Sequence, residues 1–121
     1  MAAVPLAYMD RIVENSKYSF SQDGTPAYEY SDTPIAAPGN GDAVLIPASV
    51  RQISVTLKVT AGSGKVQTST STVEAVVAGT ADWVDWDHGV AIATLTDVCS
   101  PVTAIRQVNA SGTTQIQMRA Q

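Results

Sequence analysis

Cys99 is the only cysteine among the 121 residues, which rules out an intrachain disulfide and a thiolate metal cage. A lone thiol fits folding in a reducing cytoplasm. Charge is also scarce, with 15% charged residues against 45% hydrophobic ones. So thinly charged a surface points to protein rather than water as the neighbour of part of it. Seven basic residues, scattered from Arg11 to Arg119, stand against eleven acids for a net charge of −4. Nucleic-acid binding depends on clustered cations that displace counterions, so that partner is excluded. No apolar run approaches the ~20 residues of a membrane helix. The stretch Ala2–Met9 has no preceding positive charge, is broken by Pro5 and is closed by Asp10, so no secretory signal is expected. A chain of this length allows one domain.

What the sequence does have is alternation. In Val50–Ser71, Ile53, Val55, Leu57 and Val59 alternate with Ser54, Thr56, Lys58 and Thr60, the period of a half-buried strand. Ala61-Gly62-Ser63-Gly64 interrupts the run, and alternation resumes from Lys65 to Ser71, which predicts a hairpin. Ser71-Thr72-Val73-Glu74 matches a capping box and Gly79 a stop, so Thr72–Ala78 is expected to form a short helix. Asp87-His88-Gly89 reads as a turn and Val90–Val98 as a strand. Val102–Asn109 and Thr113–Ala120 flank Ala110-Ser111-Gly112 as a second hairpin. Ile105 and Val108 have opposite parity, which calls for a bulge or for two covered faces. These elements predict an all-β fold, a small antiparallel β-sandwich or barrel formed by residues 50–121.

Residues 1–49 differ. They hold five of the six prolines and five aromatic residues, Tyr8, Tyr18, Phe20, Tyr28 and Tyr30. The first 50 residues carry six acids and two bases, and the last 71 carry five of each. Proline fixes φ and removes an amide donor, so an extended N-terminal arm is expected. Lys17–Ser21 and Ala27–Ser31, joined by a turn at Asp23-Gly24-Thr25-Pro26, would make a short hairpin within it. Leu6, Tyr8, Ile12, Tyr18, Phe20, Tyr28 and Tyr30 are its candidate interface residues, able to pack on this domain or on a neighbour. The 71-residue body is slight without a disulfide or metal, so the arm or a homo-oligomer is expected to complete it.

Candidate chemistry concentrates in Asp82-Trp83-Val84-Asp85-Trp86-Asp87-His88-Gly89. Its acid spacing does not fit a calcium loop. On a strand Trp83, Asp85 and Asp87 share one face and Trp86 takes the other, so the bland reading is a core indole beside a solvated turn. The alternative is a glycan site of Trp83, Asp85, Trp86 and Asp87. His88 beside Asp87 would make a general base, yet no nucleophile motif accompanies it. Gly62-Ser63-Gly64-Lys65 lacks the spacing of a phosphate loop. Neither a catalytic residue, a metal site nor a cofactor is therefore assigned, and no enzyme is expected.

The segments GSGKVQTSTSTVEAVVAGTADWVDWDHG (62–89) and SPVTAIRQVNASGTTQIQMRAQ (100–121) resemble the small β-sandwich structural proteins of tailed bacteriophages. The likeness covers residues 50–121 and lies in Thr/Val strands, a Gly-Ser-Gly hairpin, a Trp-x-x-Trp-Asp turn and a closing Ser-Gly-Thr hairpin. It implies a virion protein assembled in the bacterial cytoplasm, a capsid decoration or cement protein bound to the major capsid protein, with a trimer favoured. A head–tail connector or tail component, or a carbohydrate-binding module on a tail or particle surface, is the alternative it leaves open.

Overall fold

The fold, taken from a computed structural model, is described for residues 6–11 and 27–121. Two strands of 17 residues each dominate it, β6 (Ile53–Ser69) and β9 (Ala104–Ala120). They run antiparallel and pair along their whole length, from Ile53 opposite Ala120 to Ser69 opposite Ala104. Ile53, Val55 and Leu57 on β6 and Ile116, Met118 and Ala120 on β9 point into the core. Midway the parity changes: Val66 is buried on β6, and Ile105, Gln107 and Asn109 on β9. Register irregularities between Val59 and Ala61 and between Ser63 and Gly64 permit that change.

Both expected hairpins are therefore corrected. Ala61–Gly64 and Ala110–Gly112 are not turns between paired strands but the middles of two continuous ones. Gly62 lies opposite Gly112, and each half of β6 pairs with β9 instead of with its own other half. Alternation broken by glycine reads the same for a hairpin turn as for a bend within one strand. The difference lies in a partner far along the chain.

β3 (Tyr28–Ser31) pairs antiparallel with the last residues of β9, while β4 (Gly39–Asn40) and β5 (Ala43–Leu45) pair with its first half. β1 (Leu6–Tyr8) adds in parallel to β5, and β2 (Asp10–Arg11) adds antiparallel to β3. Strands drawn from the first 49 residues are thus hydrogen-bonded, directly or through one neighbour, to the final strand. Along the other edge of β6 lie β7 (Val84–Asp85) on Gln67 and Thr68, an Ala91 bridge to Gly64, and β8 (Leu95–Cys99) on Ile53–Leu57. The fold is all-β, a single mixed sheet.

The expected strand at 90–98 begins only at Leu95, leaving Val90 and Ile92 exposed. The expected partner of Ala27–Ser31, Lys17–Ser21, lies outside the described residues together with its turn. Among the described residues β3 pairs with β2 and β9.

The helix α1 (Val73–Ala78) forms where the capping signal placed it, shifted by one residue. Thr72 caps it, its Oγ1 accepting from Ala75 N at 3.2 Å, while Ser71 Oγ accepts from Asp82 N at 3.0 Å. Val76 anchors it against Ala43 and Ala104 in a small apolar cluster with Leu6, Leu45, Ala81 and Trp83. The main core joins residues from both halves of the long strands, including Val55, Leu57, Ile116 and Met118 with Val44, Val66 and Ile105.

Candidate functional site

The 82–89 stretch is divided by the sheet. Gln67 faces Asp85 across the β6–β7 ladder, and Gln67 Nε2 donates to Asp85 Oδ1 at 3.0 Å. Lys65 Nζ reaches the same carboxylate at 3.0 Å. Arg106, opposite Gln67 on β9, donates through Nε and one terminal nitrogen to Gln67 Oε1 at 2.9 and 2.7 Å. Its guanidinium lies over the Trp83 ring, 4.2 Å from the centroid. The chain Trp83–Arg106–Gln67–Asp85–Lys65 is thus continuous. Hydrogen bonds from Gln67 and then Lys65 hold the Asp85 carboxyl below its ordinary range.

Trp83 also packs on the cluster around Val76, so its indole serves both a core and a cation. Trp86, half-buried, packs against the main core, its backbone N–H donating to Val66 O at 2.9 Å. The two indoles therefore join different clusters and do not form one platform. Asp87 lies in the turn closed by Gly89 N to Trp86 O at 2.9 Å. Of the four glycan candidates, the structure brings together Trp83 and Asp85, through Arg106 and Gln67.

His88 meets Trp86 edge-on at 4.6 Å between ring centroids and pairs through Nε2 with Asp97 Oδ2 at 2.7 Å. Its carboxylate partner is Asp97 on β8, not the adjacent Asp87. The Val98 N–H donates to Asp97 Oδ1 at 2.7 Å, and this bond first, then His88, lowers the carboxyl below its ordinary range. Cys99 is buried, with its thiol donating to Ser100 O at 3.3 Å. Burial first, and the charge of Asp87 second, push that thiol up and keep it protonated. Chemically, the His88–Asp97 pair fastens the 86–92 loop to β8. An acid at i and a partner nine residues away carry no local signal, so the sequence does not reveal this pairing.

The arm residues are dispersed. Leu6 joins the Val76 cluster, and Tyr28 and Tyr30 pack against the main core. Tyr8 is 65% exposed. Ile12, Tyr18 and Phe20 lie outside the described residues. Tyr30 Oη donates to Asp32 Oδ1 at 3.1 Å, and Gln107 Nε2 donates to Asp32 Oδ2 at 2.8 Å. Thr114 Oγ1 then donates to Gln107 Oε1 at 3.0 Å, both residues being fully buried. Asn109 Nδ2 donates to Ile35 O and Gly112 O, leaving its Oδ1 without a partner among the described residues. This polar string ties residues 30–35 to β9. The polar residues at inward positions of Thr113–Ala120 and Val102–Asn109 are its only trace in the sequence.

Among the described residues, Tyr8 on β1, Val73 and Val77 on α1, and four side chains of one further segment are large, apolar and exposed. Val84 (64%), Val90 (61%), Ile92 (82%) and Val98 (48%) all belong to the segment 84–99 that borders β6. Among the described residues no helix is long and apolar enough to cross a membrane. Comparison with family models, curated proteins and solved structures finds no match for the chain.

Proposed function

We propose that the chain is a non-enzymatic structural protein of a phage virion. It decorates or cements the head by bridging neighbouring copies of the major capsid protein, and it acts as a homo-oligomer. The observation that carries this reading is the apolar border of the sheet. One segment, 84–99, places four β-branched side chains in solvent along β6, and within it β8 pairs, among the described residues, with β6 alone. An apolar open edge is a ready template for another chain, and proteins that work alone blunt such edges. Only Asp85, Asp87 and Asp97 bring charge to that border, with His88, and two of these acids are already paired.

The sheet is read as a sandwich in which β6 and β9 pass from one layer to the other at Gly62 and Gly112. Support comes from the N-terminal strands. β1 and β2 are separated only by Met9, yet they sit on β5 and β3, which pair with opposite ends of β9. Met9 is buried in the common core. A rigid body of this kind presents its border without reordering, so more of the contact energy survives as affinity.

The reading is tested by mixing the full chain with empty capsids of the phage that encodes it. Co-sedimentation is expected for the natural chain, and its loss on Ile92→Asp with Val98→Asp.

A further inference from the structure

The face of the sheet opposite the main core carries two straight polar rows. In one, Ser31, Gln117 and Thr56 stand in register across β3, β9 and β6. In the other, Asp10, Glu29, Arg119 and Ser54 do so across β2, β3, β9 and β6. The residues between them, Val55 and Met118, are buried on the other side. Together the rows, with Tyr30 and Met118 between them, line an open groove of about 540 Å³, within the range of small-ligand sites. With strands about 4.8 Å apart and like-facing residues about 6.8 Å apart along a strand, the floor is roughly 10 Å by 7 Å. That suits one or two sugar rings.

Its charged groups are uncommitted, whereas Thr56 Oγ1 shares a 2.9 Å hydrogen bond with Thr96 Oγ1 and Ser31 Oγ accepts from Gln115 and Gln117 at 3.3 Å. Among the described residues neither Asp10, Glu29 nor Arg119 takes part in an ion pair. Gln117 Nε2 donates weakly to Ser31 Oγ at 3.3 Å, which leaves its Oε1 to accept. The groove thus offers two carboxylate acceptors, a guanidinium with five donors, an amide and three hydroxyls. A peptide strand finds little free backbone on its floor, because β9 and β6 are paired on both sides there and β3 is so at Tyr28 and Glu29. An anionic polymer meets two carboxylates for one guanidinium. An apolar ligand would strip water from charges and give nothing back. Vicinal hydroxyls, which donate and accept at once, satisfy every group present.

We infer that this groove binds a neutral oligosaccharide, held by Glu29, Arg119, Gln117 and Thr56. The site lies away from Trp83 and Trp86 and does not depend on the virion reading. Its ligand is recognised through hydrogen bonds to charged groups rather than through ring stacking.

The test is a titration of the isotopically labelled full chain with maltohexaose, cellohexaose and chitohexaose, followed by amide and glutamine side-chain NMR. Saturable shifts at Ser31, Ser54, Thr56, Gln117 and Arg119 with at least one of them are expected. Arg119→Ala with Gln117→Ala should weaken that binding by about tenfold or more, the size of a lost charged hydrogen bond. Glu29→Gln, which keeps shape and removes only charge, should weaken it severalfold and serves if the double variant does not fold. Absence of saturable shifts with all three sugars, shifts confined to the Trp83 or Trp86 region, or unchanged affinity in the variants would overturn the inference. So would a response to an oligoglutamate peptide alone.

Discussion

Gly62 and Gly112 face each other across the β6–β9 ladder, both with left-handed backbones at φ 76° and 71°. A Cβ on Gly62 would lie 2.2 Å from Ser111 O, and one on Gly112 would lie 2.0 Å from Ala61 O. Neither position has room for a side chain, and L residues resist this φ in any case. The two glycines let both long strands deviate at the same rung, so that both halves contribute to one core.

Gly62→Ala should therefore lower unfolding stability by on the order of 2–4 kcal/mol, through strain and overlap together. Gly112→Ala should do the same. Because they share a rung, the double variant should lose less than the sum. Urea denaturation measures all three, and a loss below about 1 kcal/mol for either single variant would contradict this role.

Asp32 holds the buried polar string together, accepting from Tyr30 Oη, Thr33 N and Gln107 Nε2. Asp32→Ala leaves the buried Gln107 Nε2 donor without its acceptor and should destabilise by about 2–3 kcal/mol. Burial first, and the Asp32 charge second, raise the Tyr30 phenol above its ordinary value near 10. Below that value both folded and unfolded chains keep the proton, and the contribution is complete. As pH rises past it the unfolded chain ionises first, so stability falls toward the folded-state value. Tyr30→Phe should flatten this alkaline loss in melts between roughly pH 9 and 12. An unchanged slope would show that Tyr30 is not its source.

The Asp97 carboxyl titrates below its ordinary range, first through the Val98 N–H and then through His88. Its stabilising contribution is present above the unfolded value near 4 and is lost as pH falls toward the folded one. Since the backbone donor is the larger cause, His88→Ala should leave the Asp97 midpoint depressed. Carboxyl carbon NMR reads this directly. A return to the ordinary value would make His88 the dominant partner.

Removing residues 1–40 takes away β1 to β4 and with them Met9, Tyr28 and Tyr30 from the main core. The truncated chain should lose cooperative folding, measured by thermal melting. A sharp transition like that of the full chain would restore the picture of a separable arm.

The long strands were legible in the sequence because Ile53 to Val59 and Thr114 to Ala120 alternate cleanly, and the Ser71–Glu74 capping box with Gly79 marked the helix. Their pairing was not. A glycine that ends a strand and one that bends it leave the same local pattern, and only Gly112 opposite Gly62 decides between them. The prolines of residues 1–49 suggested an arm, yet Tyr28–Ser31 and Ala43–Leu45 fall in the gaps between prolines and bind β9 there. In the candidate site, Trp83 and Asp85 were visible as a pair on one face. Arg106 and Gln67, which complete the chain, come from two other strands, as Asp97 does for His88. Such contacts depend on register, which local sequence does not encode.

The measurement that bears most directly on the proposed role is co-sedimentation of the full chain with empty capsids of its own phage, natural sequence against Ile92→Asp with Val98→Asp. The account predicts binding by the natural chain and its loss in the variant, with both equally folded by circular dichroism. Failure of the natural chain to bind, or equal binding by the two, would contradict it.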